Sequence, residues 1–298
     1  MNFRFPVLVR VLVGLTILVG LGAPSVCAQE VPSRESGVEL ARFGDAQALA
    51  VDPLGRLYVA DAARDVVEVY RPDGTRQMVL GGSGTGPGAF DTPSDVDPTN
   101  GQLILVADTY NGRIQRFSED GQYLESLPVG RTDRGPGEGW SFQEGRGGDP
   151  SRGSGRPIAV VRDNDGTLFV LDARSRQLLI WSDVGRSGRL SDVGGSRLQD
   201  PVALAIGEDR RLYVADAGRE AVLVYDTFGT FRRTLPLPSL PSVRALTVSN
   251  GRLLIVCARR VLIWERRRGL VAEHKVKLSA PLVDVSVGDD GLYLLTAT

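Results

Sequence analysis

Histidine is almost missing from this chain of 298 residues: His274 is the only one. One imidazole cannot supply the several nitrogen ligands of a catalytic zinc site. A Ser-His-Asp triad would have to be built around that residue alone. Cysteine is nearly as scarce, with Cys27 and Cys257 only. Cys257 lies in an apolar stretch and reads as a buried thiol. Lysine occurs twice, as Lys275 and Lys277, and every other basic side chain is arginine. Neither sign of charge is in excess: 35 basic and 36 acidic residues leave a formal net charge of −1. That excludes the broad basic surface on which general nucleic-acid binding depends. A local run such as Arg266-Arg267-Arg268 then reads as a solvated turn. No glycine-rich loop follows a strand and opens a helix in the manner of a phosphate site.

Long hydrophobic runs are absent with one exception, at the N-terminus. Arg4 and Arg10 lead into an apolar run from Val11 to Ala23, and Val26-Cys27-Ala28 places small residues at a cleavage site. This pattern predicts a secretory signal peptide over residues 1–28, with Gln29 as the new N-terminus. The run is shorter than the ~20 apolar residues that span a bilayer. Pro24-Ser25-Val26 matches poorly the small residues that precede a lipid-modified cysteine. Export to the periplasm or the medium is therefore expected ahead of a lipid anchor or a retained span. Cleavage would leave Cys257 as the sole cysteine, so no intramolecular disulfide is available even where one is permitted.

What the chain has in quantity is repetition. Leu57-Tyr58-Val59-Ala60-Asp61, Ile104-Leu105-Val106-Ala107-Asp108, Leu168-Phe169-Val170-Leu171-Asp172 and Leu212-Tyr213-Val214-Ala215-Asp216 are four versions of one segment. Weaker copies follow at Leu253–Cys257 and Leu292–Thr296. In the first unit, Ala48–Asp52 reads as a strand, Pro53-Leu54-Gly55 as a turn, Leu57–Ala60 as a second strand, Val66–Tyr70 as a third and Thr75–Leu80 as a fourth. Four short strands per unit at this period predict a β-propeller, with six units in all. The last unit has only two strands before Thr298. Val38–Arg42 is predicted to complete it from the other end of the chain, which closes the ring and hides its edges.

These units resemble the NHL-repeat family of six-bladed β-propellers over about residues 38–298. The second unit carries the likeness best, in Pro93-Ser94-Asp95-Val96-Asp97 and then Val106-Ala107-Asp108-Thr109-Tyr110-Asn111-Gly112-Arg113-Ile114-Gln115-Arg116-Phe117. The resemblance implies an all-β six-bladed propeller. It also implies that the loops from second to third strands share a face with the loops that enter the inner strands, around a central channel mouth where ligands bind.

Candidate residues follow from asking which positions repeat and which vary. Asp61, Asp108, Asp172 and Asp216 recur in each unit and are expected to hold loops by accepting backbone N–H groups. The positions that open each inner strand vary. One register holds Gln47, Ser94, Ile158, Val202, Arg244 and Val283; the next holds Ala48, Asp95, Ala159, Ala203, Ala245 and Asp284. Gln47, Ser94 and Arg244 are candidate binding residues. Asp95 and Asp284 break a run of alanines and are candidate ligands for Ca²⁺, a cation that takes oxygen donors; two carboxylates fall short of a full set, and structural bonds are the alternative.

Between the second and third units lies an insertion, residues 130–156, with nine glycines, five arginines and four acids around Trp140 and Phe142. Loops of this length are functional or disordered, and two aromatics are candidate anchors for a partner. The expected function is an exported, non-enzymatic, monomeric scaffold that presents its loop face to a protein or a glycan, without nucleic acid and without a resident cofactor. The alternative is a calcium-dependent lactonase, hydrolase or lyase at the channel mouth.

Overall fold

The computed structural model describes residues 7–12, 29–30, 38–98, 101–130, 153–181, 188–191, 198–238, 242–276, 278, 280–288 and 291–297. Almost every element among them is a β-strand, and the one helix is a single 3-10 turn at Ala217–Arg219. No helix among the described residues is long and apolar enough to cross a membrane.

The strands form a β-propeller. Five blades are each built from four consecutive antiparallel strands, the first running from the inner strand Ala46–Val51 through Leu57–Asp61 and Val66–Tyr70 to the outer strand Arg76–Gly81. Blades two, three, four and five repeat this order from the inner strands Pro93–Asp97, Pro157–Arg162, Pro201–Ile206 and Val243–Ser249, and in the fifth the short strand Gln29–Glu30 adds in parallel outside Gly269–Lys275. A further sheet is assembled from both ends of the chain: Leu282–Gly288, Gly291–Thr296, then Val7–Leu12, then Val38–Phe43. The inner strands follow one another round the channel, and Leu282–Gly288 lies against Ala46–Val51 to close the ring.

Alternation along each strand builds the core. In the first blade Leu57 and Val59 pack with Tyr293 and Leu295 of the composite sheet. Tyr58 and Ala60, facing the other way, pack with Val96, Ile104 and Val106 of the second blade. Leu212 and Val214 likewise face the third blade while Tyr213 and Ala215 face the fifth. The second strand of a blade is covered on both faces, so its residues are buried without a break. This explains why the repeated segments are apolar throughout rather than alternating. Each such Val, Leu or Tyr contributes about 1.5–3 kcal/mol by leaving water.

Five blades of consecutive strands are shown where the repeat predicts six, and the sheet in the remaining place is not built as expected. Val38–Phe43 does serve it, but it does not meet the C-terminal strand directly. Val7–Leu12 lies between them, with Val9 opposite Leu295 on one side and Ala41 on the other. Without it the facing edges of Gly291–Thr296 and Val38–Phe43 would be unpaired, and one strand in that slot satisfies both. Proline at position 9 cannot donate to a ladder and is tolerated only at edges. In the chain that keeps residues 1–28, Val9→Pro is therefore expected to lower the midpoint of thermal unfolding, because it removes a ladder hydrogen bond. An unchanged midpoint would mean that this strand adds nothing to the ring.

Candidate functional site at the channel mouth

Each inner strand begins with the same irregularity. The pairing of inner with second strand steps from Ala46–Asp61 to Ala48–Ala60, from Pro93–Asp108 to Asp95–Ala107, and from Pro157–Asp172 to Ala159–Leu171. It does so again at Pro201/Ala203, Val243/Ala245 and Leu282/Asp284. One residue is skipped each time. The skipped residues are Gln47, Ser94, Ile158, Val202, Arg244 and Val283, the variable register of the sequence. A bulge of this kind bends the strand and re-aims one side chain out of the ladder. Here all of them line one cavity of about 520 Å³ at the channel mouth. Its wall is divided: Gln47, Ser94 and Arg244 are polar, while Ile158, Val202 and Val283 are apolar.

Sequence reasoning missed several residues of the same wall, among them Thr109, Tyr110, Arg156 and Asp200. Thr109 Oγ1 donates to the carbonyl of Pro157 at 2.9 Å and lies 2.7 Å from Ser94 Oγ, which ties the second blade to the third. Tyr110 is 55 % exposed, with the guanidinium of Arg156 5.5 Å from its ring centre. Neither Arg156 nor Arg244 forms an ion pair among the described residues, so two cations face the cavity with Asp200 as the acid on its wall. Tyr110 and Arg156 were within reach of the sequence, since one follows a repeat aspartate and the other closes the insertion. Only the fold shows that these places meet.

The insertion starts and ends at this point. Gly155 N–H donates to the carbonyl of Val129 at 2.6 Å, Val129 N–H to that of Gly112 at 2.7 Å, and Gly153 N–H to that of Asn111 at 3.2 Å. The strands approach so closely that a Cβ on Gly153 would fall 2.1 Å from the Val129 oxygen. Gly112, at φ +66°, turns the chain beneath them. Trp140 and Phe142 lie outside the described residues.

The repeat aspartates are spent on backbone. Asp61 accepts from the N–H groups of Gly44, Asp45 and Ala63 at 2.8–3.1 Å. Asp216 accepts from Gln199 and Asp200, both at 2.8 Å, and Asp172 from Arg156 at 2.6 Å and from the Ser175 hydroxyl at 2.6 Å. Asp108 accepts from Asp91 N–H at 2.8 Å and from Arg113 Nε at 2.7 Å. Their main target is the loop that leads into their own blade's inner strand, which sets the geometry of the mouth.

Asp95 and Asp284 are also held by backbone. Asp95 accepts from Val160 N–H at 2.7 Å, across to the third blade, and from Val96 N–H at 2.9 Å. Asp284 accepts from Leu49 N–H at 2.8 Å, across the closure of the ring, and from Val285 N–H at 2.7 Å. Where the other blades carry alanine, these two pin neighbouring inner strands together. Burial pushes the Asp95 carboxyl up to about 8; the Val160 N–H pulls against it, and the charges of Asp284 and Asp97 add to the rise. Burial pushes Asp284 up to about 7 against its two amide donors. All four carboxyl oxygens accept a backbone N–H, and no group of three or more His, Cys, Asp or Glu residues placed to hold a metal occurs among the described residues.

His274 lies within the strand Gly269–Lys275, the fourth of blade five. It pairs with Val261, and it does not line the cavity. Neither ring nitrogen has a hydrogen-bond partner among the described residues, and burial lowers its pKa.

The fold and the bulge-lined mouth define a β-propeller with a ligand-sized opening. No family model and no curated protein matches the chain. Solved structures do. A virginiamycin B lyase from Staphylococcus aureus aligns with a TM-score of 0.58 at 14 % identity, over 85 % of this chain and 80 % of that one. A catalytically inactive His-to-Ala variant of virginiamycin B lyase from Staphylococcus aureus, with quinupristin, aligns at 0.60 and 13 %, over 89 % and 86 %. A streptogramin B lyase aligns at 0.55 and 12 %, over 85 % and 93 %. At these identities the likeness is one of fold.

Proposed function

We propose that the chain is an exported binding propeller, six-bladed and of NHL type, that holds a protein or glycan partner at its channel mouth. The observation behind this reading is the convergence of every bulge residue on one cavity, with Arg244 and Arg156 free of ion pairs among the described residues and beside an apolar wall. Such a surface suits a ligand with an anionic or hydrogen-bond-accepting group on one side and an apolar face on the other. The glycine-packed stem at Gly112 and Gly153 brings the insertion to the same rim, so Trp140 and Phe142 are proposed to extend the contact. Ca²⁺ is not part of this reading, because the oxygens of Asp95 and Asp284 already serve backbone amides.

The second reading is a lyase or related enzyme, favoured by the streptogramin B lyases of like fold. One of them loses activity when a histidine becomes alanine. The single histidine here sits on an outer strand and leaves the mouth without an imidazole, which favours binding over elimination chemistry.

Two measurements separate these readings. In a cross-linking capture from an envelope fraction, the Gln47→Ala/Arg244→Ala variant should lose its partner about tenfold or more, the scale of a hydrogen bond to a charged group. Full capture by a variant that melts like the parent would end the mouth reading. Incubation of the parent with quinupristin should leave that compound intact; its conversion would establish the lyase instead.

A further inference from the structure

The mouth is one end of the ring. At the other end, where the turns between inner and second strands lie, blades four and five enclose a trough of about 490 Å³. It is lined by five arginines, Arg210, Arg211, Arg232, Arg233 and Arg266, and by two acids, Asp209 and Asp226. They come from separate places in the chain: a turn after Pro201–Ile206, the end of Ala221–Asp226, the outer strand Phe231–Thr234, and the residue after Arg260–Glu265. Only the curvature of the ring gathers them. The whole chain has a net charge of −1, so five arginines against the two lining acids and Asp165, which pairs with Arg210, are a local concentration and not a reflection of composition.

The pairing within the trough is incomplete. Arg211 and Arg266 share Asp209 at 3.5 and 3.9 Å, longer than a good ionic hydrogen bond. Arg232 pairs with Asp226 at 2.5 Å, and Arg210 with Asp165, an acid outside the trough's lining, at 2.6 Å. Arg233 stacks on the Trp264 ring at 5.3 Å and has no carboxylate partner among the described residues. Arg210, Arg232 and Arg266 each leave more than half of the side chain in water. Phe228, 74 % exposed, stands on the turn whose N–H groups Asp226 accepts.

We infer that this trough binds an anionic polysaccharide. Planar guanidinium groups recognise carboxylate, sulfate or phosphate by paired N–H donors. Asp209, held only by the longer contacts to Arg211 and Arg266, can accept a sugar hydroxyl, and the exposed Phe228 ring offers an apolar platform to a sugar ring. The same two acids, on an acidic body, oppose the dense phosphate charge of a nucleic acid. The trough is separate from the mouth, and this inference stands or falls without the function proposed there.

The test is affinity electrophoresis of the full chain through gels that hold a sulfated, a phosphorylated or a carboxylated polysaccharide, with neutral dextran and single-stranded DNA as comparisons. Retardation is expected with at least one charged polysaccharide, not with dextran, and it should weaken as salt rises. The charged arms tell which anion is preferred. The Arg210→Ala/Arg232→Ala/Arg266→Ala variant removes exposed side chains only. It should bind about tenfold more weakly or worse, since the charge-assisted hydrogen bonds to the anion are lost with these side chains. The Gln47→Ala/Arg244→Ala variant should bind like the parent. No retardation in any charged gel at low salt, an unaffected triple variant, or tighter binding to DNA than to every polysaccharide would each overturn the inference.

Discussion

Asp108→Ala is expected to lower the unfolding free energy by about 3–5 kcal/mol, the cost of stranding a buried charge. Asp108 and Arg113 are both fully buried, with Arg113 Nε 2.7 Å from the carboxylate. Arg113 also donates to the carbonyls of Gly86 and Ala89 at 2.8 and 2.9 Å, so it ties the loop before the inner strand to the third strand. Asn111 and Gln115 add their amide groups to the same carboxylate at 2.9 Å. Removing the carboxylate leaves all these donors and a cation that cannot shed its proton. Arg113→Met should cost less, because the partner left behind has an escape. Burial already pushes the Asp108 carboxyl upward, and without Arg113 it can take a proton and keep its bonds to Asp91 and Asn111. The other repeat aspartates hold backbone N–H groups and contact only part-exposed arginines, as Asp61 does with Arg64 at 3.5 Å. Asp61→Ala should therefore fall near 1–3 kcal/mol, roughly the range for unsatisfied buried donors. Urea denaturation of the three variants gives the ranking. Equal losses for Asp108→Ala and Asp61→Ala would show that the Arg113 network adds nothing.

The blade repeat was legible because a fixed spacing from turn to aspartate survives in four copies, and because burial on both faces forces the second strands to stay apolar. The bulge register was legible for the same reason: it lies at a fixed place before each second strand, so its variability stands out against the alanines that follow. The role of Asp95 and Asp284 was only half legible. Their departure from alanine is visible in the sequence, but their amide partners lie 65 and 235 residues away, in a neighbouring blade. Val7–Leu12 was hidden by its own composition. Val-Leu-Val-Arg-Val-Leu suits a β-strand and also the start of an export signal, and nothing local decides between them. The arginine trough was hidden more deeply. Arg210-Arg211, Arg232-Arg233 and Arg266 each look like a solvated turn, and only their convergence across two blades gives them a common face.

The stability of the ring is expected to fall as pH rises from about 4 to about 8, and Asp95 and Asp284 are expected to carry that slope. Unfolded, their carboxyls ionise at the ordinary value near 3.8; folded, they hold a proton up to about 8 and about 7. Between those limits the native state binds more protons than the unfolded chain, so stability declines with rising pH. The stabilisation is complete below about pH 4, is lost progressively through the folded values, and levels off above about pH 8. Because the charge of Asp284 adds to the rise at Asp95, removing Asp284 should lower the Asp95 value. Asp284→Asn should therefore flatten the slope by more than its own share. It also costs stability at every pH, since its NH₂ group faces one of the two amide donors at Leu49 and Val285, by about 1–3 kcal/mol. Urea denaturation at about pH 5, 7 and 9 separates the two effects: a uniform loss reports the missing acceptor, and a change of slope reports the proton. If the parent is as stable at pH 9 as at pH 5, and Asp284→Asn shifts both equally, the two carboxyls are ionised in the folded ring and the pins between inner strands are ordinary charged acceptors. If the slope is there and Asp284→Asn flattens it, ring closure at Leu49 is made by a neutral acid, and alkaline conditions should loosen the joint between the first blade and the composite sheet before any other.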